Sequence, residues 1–211
     1  MYNVSEQTIE FESPLRGVYL RDVLRSKSQA MREALDNEVR KVLQQKEDED
    51  AYITSVLNRF SITIPQLDFD SEHLKKNEDY KDVSASQYAH EIFFSRNDQV
   101  RVWVITFGIP YSGDIELIKY VPSGGAELQT YEFTARDQHL WFSVQTRDTA
   151  NKDIAAIRAE RDQKVNVLRQ RLQSIIPELE TYNQGLAREV PELFARLKQK
   201  FQDDKKTLDQ L

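Results

Sequence analysis

The last third of the chain carries a continuous stripe of apolar residues spaced three or four positions apart. This spacing places successive side chains on one face of an α-helix, and a heptad-like stripe is typical of helices that pack on other helices. The stripe has one charged exception, Arg161. Its members are Ile154, Ile157, Arg161, Val165, Leu168, Leu172, Ile175, Leu179, Tyr182, Leu186, Val190, Leu193, Leu197 and Phe201. The chain must therefore bury a long helical seam, either within itself or against a second copy.

Two prolines, Pro177 and Pro191, interrupt this stripe. A proline inside a helix removes one hydrogen bond and costs about 3 kcal/mol, so a break or kink is expected at one or both. The Tyr-Asn-x-Gly sequence at residues 182–185 favours a turn. We therefore predict a coiled-coil-like antiparallel helical hairpin that turns between residues 174 and 185, and leave open whether it turns at Pro177 or near Gly185.

An earlier segment, from Arg16 to Asn58, also has helical periodicity. Its apolar residues lie three or four positions apart with charged residues between them, which predicts a long amphipathic helix or two helices joined near QQKEDED. Ser13 can cap the free amides at a helix start, and Pro14 suits the first helical position. We expect a long helical element on the N-terminal side of the molecule.

The middle of the chain changes to the patterns of β-strands. Short segments rich in β-branched and aromatic residues alternate with turn-like segments: FSITIP, SQYAHEIFFS, QVRVWVITFGIP, ELIKYV, ELQTYEF and HLWFSVQT. Residues 100–109 are apolar at nearly every position, which predicts a central strand covered on both faces. Residues 66–83 are polar and predict an exposed loop. The fold class predicted is α+β, with an antiparallel meander of five or six strands packed against the long helices.

The predicted domain organisation places the first helix and the sheet in residues 1–151 and the helical hairpin in residues 152–211, as one continuous structural unit. The net charge of -6 lacks the basic character that supplies most non-specific affinity for nucleic acid. No apolar run is long enough for a membrane helix, and the first residues lack the pattern of a signal peptide. We therefore expect a cytoplasmic protein that binds neither membranes nor nucleic acid.

The stretch YSGDIELIKYVPSGG, residues 111–125, holds the densest group of chemically active side chains. A metal-dependent nuclease of the Asp, Glu-x-Lys type needs its glutamate and lysine two positions apart on a strand. Glu116 and Lys119 are three apart, so on a strand they would face opposite sides. We interpret the stretch as a turn, in which Gly113 takes the left-handed conformation and Asp114 bonds nearby amides. A hydrolase built on Asp114, Glu116 and Lys119 remains the alternative.

The sequence has no pattern that is typical of a metal or cofactor site. There is no cysteine, the three histidines lack the spacing of metal ligands, and no glycine-rich phosphate loop lies between a strand and a helix. We expect no metal, no cofactor and no catalytic residue.

A family resemblance covers roughly residues 100–205. TFGIPYSGDIELIKYVPSGG, DIAAIRAERDQKV and ETYNQGLAREVPELFARLKQKF resemble a little-studied bacterial module. Such modules precede effector domains, including nuclease-like and TIR-like ones, in proteins of phage-defence type. The matching positions are Gly113, Asp114, Leu117, Tyr120, Pro122, Ser123, Tyr182, Asn183 and Leu186. The resemblance implies the regulatory or assembly part of a defence system, and it carries over no catalytic residue.

The function expected is a non-catalytic protein-interaction and assembly module. The partner expected is a separately encoded effector protein, and the protein itself is expected to form a homodimer. Its predicted helix interface consists of Ile154, Ile157, Val165, Leu168, Leu172, Ile175, Leu179, Leu186, Leu193 and Leu197. Weaker binding candidates are Gly113, Asp114, Tyr120 and Ser123. The alternative from another class is a hydrolase that acts on nucleic acid or a nucleotide.

Overall fold

The chain forms two compact units, each made from three separate stretches of sequence. The computed structural model describes residues 7–11, 17–70, 75–84, 99–124, 132–147 and 153–208. The first unit comprises Met1–Phe11, Pro65–Lys119 and Gln129–Leu172, and the second comprises Glu12–Ile64, Tyr120–Leu128 and Gln173–Leu211. The boundary predicted between residues 151 and 152 lies inside the first unit.

The first unit contains an antiparallel sheet, which in the described residues has six strands. They are β1 (Gln7–Glu10), β2 (Gln66–Leu67), β3 (Lys75–Ser84), β4 (Gln99–Ser112), β5 (Glu132–Arg136) and β6 (His139–Arg147). Their order is β1-β5-β6-β4, and both β2 and β3 pair with β4 along its other edge. The antiparallel sheet is confirmed, but its order is not that of a meander, because β6 rather than β5 lies beside β4.

Two segments of the sheet region differ from the prediction. ELIKYV is not a strand: Ile115–Lys119 form a 3₁₀ helix in which Ile115, Leu117 and Ile118 are buried. The polar segment expected to be an exposed loop, residues 66–83, contains β2 and all but the last residue of β3, whose ten residues Lys75–Ser84 pair with β4. The charged sequence of β3 does not have the pattern of a strand. The segment forms a strand because it pairs with the apolar β4.

Two further predicted strands have different outcomes. The strand predicted for FSITIP is wrong, because its first residue, Phe60, ends a helix and residues 61–65 have no regular structure. SQYAHEIFFS, at residues 86–95, lies outside the described residues.

The apolar face of the sheet forms the core around β4, β6 and β5. Across β4 and β6, Ile105 lies opposite Val144, Phe107 opposite Phe142 and Ile109 opposite Leu140, and all six are buried. Strand β4 pairs on both edges, and its residues 102–105 are buried whichever face they point to. This confirms the expectation of a central strand covered on both faces.

The opposite face carries Trp141, which lies across a glycine. Trp141 pairs with Gly108 on β4 and with Thr134 on β5. A Cβ atom added at Gly108 would lie 2.8 Å from the Trp141 ring, so the close approach of ring and backbone requires glycine there. The indole nitrogen of Trp141 donates to the carbonyl of Arg136 at 3.2 Å.

The second unit is helical and begins with two helices rather than one. They are α1 (Leu20–Gln45) and α2 (Glu49–Phe60), which confirms the two-helix alternative with a joint near QQKEDED. Lys46 ends α1 in the left-handed conformation, and the Asp48 carboxylate accepts hydrogen bonds from the amides of Asp50 and Ala51 at the start of α2. The predicted start near Ser13 is wrong, because residues 17–19 are not helical and α1 begins only at Leu20, after Tyr19 in an extended conformation.

The third helix, α3 (Ile154–Leu208), is continuous over 55 residues, so the predicted hairpin is wrong. Residues 154–172 belong to the first unit and residues 173–208 to the second. Pro177 and Pro191 are both exposed. Because proline has no N–H, the carbonyls of Gln173 and Ala187, four residues earlier, receive no hydrogen bond from the helix, and both of these residues are exposed as well. Water can bond these carbonyls, so each proline is tolerated within the helix.

Polar contacts join the three helices of the second unit. Tyr52 and Arg59 on α2 both bond the Glu38 carboxylate on α1, at 3.1 and 3.2 Å. Burial, together with the Glu38 carboxylate, raises the pKa of Tyr52. Lys198 on α3 pairs with Glu49 at the start of α2 at 2.7 Å. The hydrogen bond between Arg32 and Glu189 raises the pKa of the arginine and links α1 to α3.

None of the helices in the described part of the chain combines the length and the apolar character that crossing a membrane requires.

Candidate functional site

The YSGD segment is a turn that leads from β4 into the 3₁₀ helix. Gly113 has a φ of 79°, the left-handed conformation that the turn interpretation predicts. The amide of Ile115 donates to the Gly113 carbonyl at 2.9 Å, and the amide of Leu117 donates to the Asp114 carbonyl at 3.1 Å. The left-handed glycine and these two backbone hydrogen bonds therefore shape the chain before three buried apolar residues.

Replacing Gly113 with valine should lower the free energy of unfolding by roughly 1 kcal/mol or more, because a β-branched side chain is strained at this φ. Gly124→Val is the matched control, since a Cβ added at Gly124 meets no atom within 4 Å. Urea unfolding of both variants measures the difference. Equal stability of the two would contradict a backbone role for Gly113.

Glu116 and Lys119 lie differently from the strand-based expectation. On a 3₁₀ helix, residues three apart lie on the same side, so these two side chains share a side instead of facing opposite ways. Glu116 is exposed and Lys119 is half-buried. In the described residues, however, no three histidine or acidic side chains come close enough together to hold a metal ion.

Arg171 on α3 holds the end of the 3₁₀ helix in place. Its guanidinium donates from Nε to the Ile118 carbonyl at 2.8 Å and from Nη2 to the Lys119 carbonyl at 3.2 Å. The same group lies 4.7 Å from the centroid of the Phe11 ring. Arg171 is only 6% exposed. The last carbonyls of a helix need donors from outside it, and here a buried cation supplies them.

The four weaker binding candidates are divided between the two units. Gly113 and Asp114 belong to the first unit, whereas Tyr120 and Ser123 belong to the second. Ser123 donates from both its amide and its hydroxyl to the carboxylate of Glu178 on α3, at 2.7 and 2.8 Å. This pair of charge-assisted hydrogen bonds anchors the PSGG turn to the helix.

Tyr182 and Asn183, predicted to form a turn, instead bind the chain that leaves α2. The Asn183 side chain accepts from the Ile62 amide at 3.0 Å and donates to the Ile62 carbonyl at 2.8 Å. The Tyr182 hydroxyl donates to the carbonyl of Phe60, the last residue of α2, at 3.0 Å. Burial raises the pKa of Tyr182. Their side chains therefore bond the Phe60 carbonyl and both backbone groups of Ile62.

The predicted dimer stripe is largely buried within the chain. Ile157, Leu168, Leu172, Ile175, Leu179 and Leu186 are each at most 6% exposed. Val165, Leu193 and Leu197 are half-buried, and Ile154 is 46% exposed. The protein's own core therefore accounts for most of the apolar seam.

A groove in the first unit was not predicted from the sequence. It has a volume of about 360 Å³ and is lined by Phe69, Arg161, Asp162, Val165, Asn166 and Arg169. The guanidinium of Arg169 lies 4.9 Å from the centroid of the Phe69 ring. One signal was present in the sequence: Arg161 is the charged residue within the apolar stripe. Phe69 lies in the segment interpreted as a loop, so nothing in the neighbouring sequence predicted its position beside α3.

Comparison with known proteins finds no relative, since the chain matches no family model, no curated protein and no solved structure.

Proposed function

We propose that this protein is a non-catalytic interaction and assembly module, the regulatory component that a separately encoded effector protein recognises. One observation carries the proposal: the charged side chains of Arg171 and Glu178 beside this stretch are bound to the protein itself. Arg171 bonds two backbone carbonyls, and Glu178 bonds Ser123. Asp114, Lys119 and Tyr120 also have interaction partners. Groups held in this way serve the fold, whereas a catalytic group must be able to reach a substrate.

The resemblance to modules of phage-defence type supports the same assignment and indicates where to look for the partner. A gene for a nuclease, an ATPase or a TIR protein beside this one would identify the candidate effector. Binding of the two purified proteins to each other would then test the proposal directly, and lack of binding to any such neighbour would count against it.

The homodimer proposed with this function uses the apolar residues that the chain leaves accessible. Within the predicted stripe these include Ile154, which is 46% exposed, and the half-buried Leu193 and Leu197. Such positions can add apolar contact area when a second copy packs against α3, because the burial of apolar surface is what drives association.

Light scattering on the purified chain tests the dimer. We expect a mass of twice 24.7 kDa, and the variant Ile154→Glu should weaken the dimer because it places a charge in the apolar contact. Ala155→Glu, a matched change at the exposed neighbouring position, should leave the mass unchanged. A 24.7 kDa species at every concentration would contradict the dimer.

The hydrolase alternative keeps one observation in its favour, the placement of Glu116 and Lys119 on the same side of the 3₁₀ helix. Incubation of the protein with plasmid and Mg²⁺ or Mn²⁺ distinguishes the two functions. We expect no cleavage. Cleavage that disappears in Asp114→Ala would replace the proposed function with a nuclease.

A further inference from the structure

We propose that the groove lined by Phe69, Arg161, Asp162, Val165, Asn166 and Arg169 binds a nucleoside monophosphate. The groove lies wholly within the first unit. Its volume, about 360 Å³, falls in the range of roughly 300–1,000 Å³ that small-ligand sites occupy. This inference goes beyond the interaction module proposed above and does not depend on it.

Phe69 and Arg169 together form one surface of the groove. The Arg169 guanidinium lies over the Phe69 ring, 4.9 Å from its centroid, and Asp70 pairs with the same arginine at 3.6 Å. Phe69 and Val165 are half-buried, so their exposed parts offer contact area to a ring. Aromatic rings and guanidinium planes are the surfaces on which nucleobases stack in proteins.

The charged part of the groove is Arg161, one side of which is bonded to the adjacent Asp162. The Arg161 side chain is 35% exposed and that of Asp162 is 56% exposed, so a ligand can displace this pair at little cost in free energy. Arginine binds phosphate through two parallel hydrogen bonds, and a phosphate dianion competes well with a single carboxylate.

The separation of the two arginines fits a nucleotide. Arg161 and Arg169 are eight residues apart on α3, which corresponds to about 12 Å along a helix axis. A nucleoside monophosphate can then place its phosphate at Arg161 and its base on the Phe69–Arg169 surface. Asn166 also lines the groove, and its side-chain amide has both a donor and an acceptor for the polar edge of the base.

Calorimetric titration of the full chain with AMP, GMP, CMP and UMP tests the site, with adenosine and inorganic phosphate as partial ligands. We expect at least one nucleotide to bind with a dissociation constant below about 1 mM, more tightly than either partial ligand. Arg161→Gln should weaken binding about tenfold or more, because it removes a charged hydrogen-bond donor. Phe69→Leu should bring nucleotide affinity down toward that of inorganic phosphate.

Two further variants make the test specific. Arg158→Gln removes the same charge from an exposed position of α3 outside the groove, and should leave affinity unchanged. Asp162→Asn removes the carboxylate that competes for Arg161, and should tighten nucleotide binding about twofold to fivefold.

Three results would overturn the inference. They are no binding of any nucleotide up to about 1 mM, equal weakening by Arg158→Gln and Arg161→Gln, or inorganic phosphate that binds as tightly as every nucleotide. The titration contains no partner protein. The site and the proposed assembly function can therefore fail separately.

Discussion

Replacing Arg171 with alanine is expected to lower the free energy of unfolding of the first unit by about 3 kcal/mol, more than any surface substitution. The change removes the donors that satisfy the Ile118 and Lys119 carbonyls, at 2.8 and 3.2 Å, together with the contact to the Phe11 ring. Because Arg171 is 6% exposed, water cannot easily take the place of the lost groups. Urea unfolding measures the loss.

Two other substitutions separate the role of the guanidinium from that of a positive charge. Arg171→Lys keeps the charge, but one ammonium group does not reproduce the planar arrangement of donors, so we expect an intermediate loss of about 1–2 kcal/mol. Arg188→Ala removes an exposed arginine from the same helix and should change stability by less than about 0.5 kcal/mol. An Arg171→Ala protein as stable as the Arg188→Ala protein would show that the 3₁₀ helix does not depend on this contact.

Replacing Asn183 with alanine is expected to destabilise the helical unit by about 2–4 kcal/mol. The substitution leaves both the amide and the carbonyl of Ile62 without the side-chain partners that lie at 3.0 and 2.8 Å. Ile62 is only 4% exposed, so each unpaired group keeps most of its desolvation penalty. Gln184→Ala, at the exposed neighbouring position, is the control and should be close to neutral.

The variant Asn183→Asp adds a test that depends on pH. Its carboxylate can still accept from the Ile62 amide, but when ionised it also faces the Ile62 carbonyl and lacks a donor. The folded state should therefore raise the pKa of this carboxyl above its unfolded value. A raised pKa means that the folded protein binds the extra proton, so the stability lost at neutral pH should return as the pH falls through the folded pKa. Stability that does not change with pH would contradict the reciprocal pairing.

Several elements follow from the local sequence. The joint between α1 and α2 follows from KEDED, because Lys46 ends one helix and Asp48 caps the next. The central position of β4 follows from its apolar residues, and the left-handed Gly113 follows from the turn residues around it. The sequence contained one indication of the candidate groove, the charged Arg161 within the apolar stripe.

Other features depend on contacts between distant parts of the chain. ELIKYV has the composition of a strand, yet its first residues belong to a 3₁₀ helix that buries Ile115, Leu117 and Ile118. The last carbonyls of this helix are bonded by Arg171, which lies more than fifty residues later in the chain. The charged segment around β3 has no apolar pattern and becomes a strand because β4 offers it a partner.

By itself the sequence determined the helical character of α1, α2 and α3 and the strand character of β4 and β6, because hydrophobic periodicity is a local property of the chain. Only the tertiary structure decided that α3 passes through Pro177 and Pro191 without turning back, since the exposure of Gln173 and Ala187 lets water bond the freed carbonyls. It also decided that Asn183 binds Ile62 instead of forming a turn. A backbone group without a local partner takes whichever donor or acceptor the fold brings to it, and that partner is not encoded nearby in the sequence.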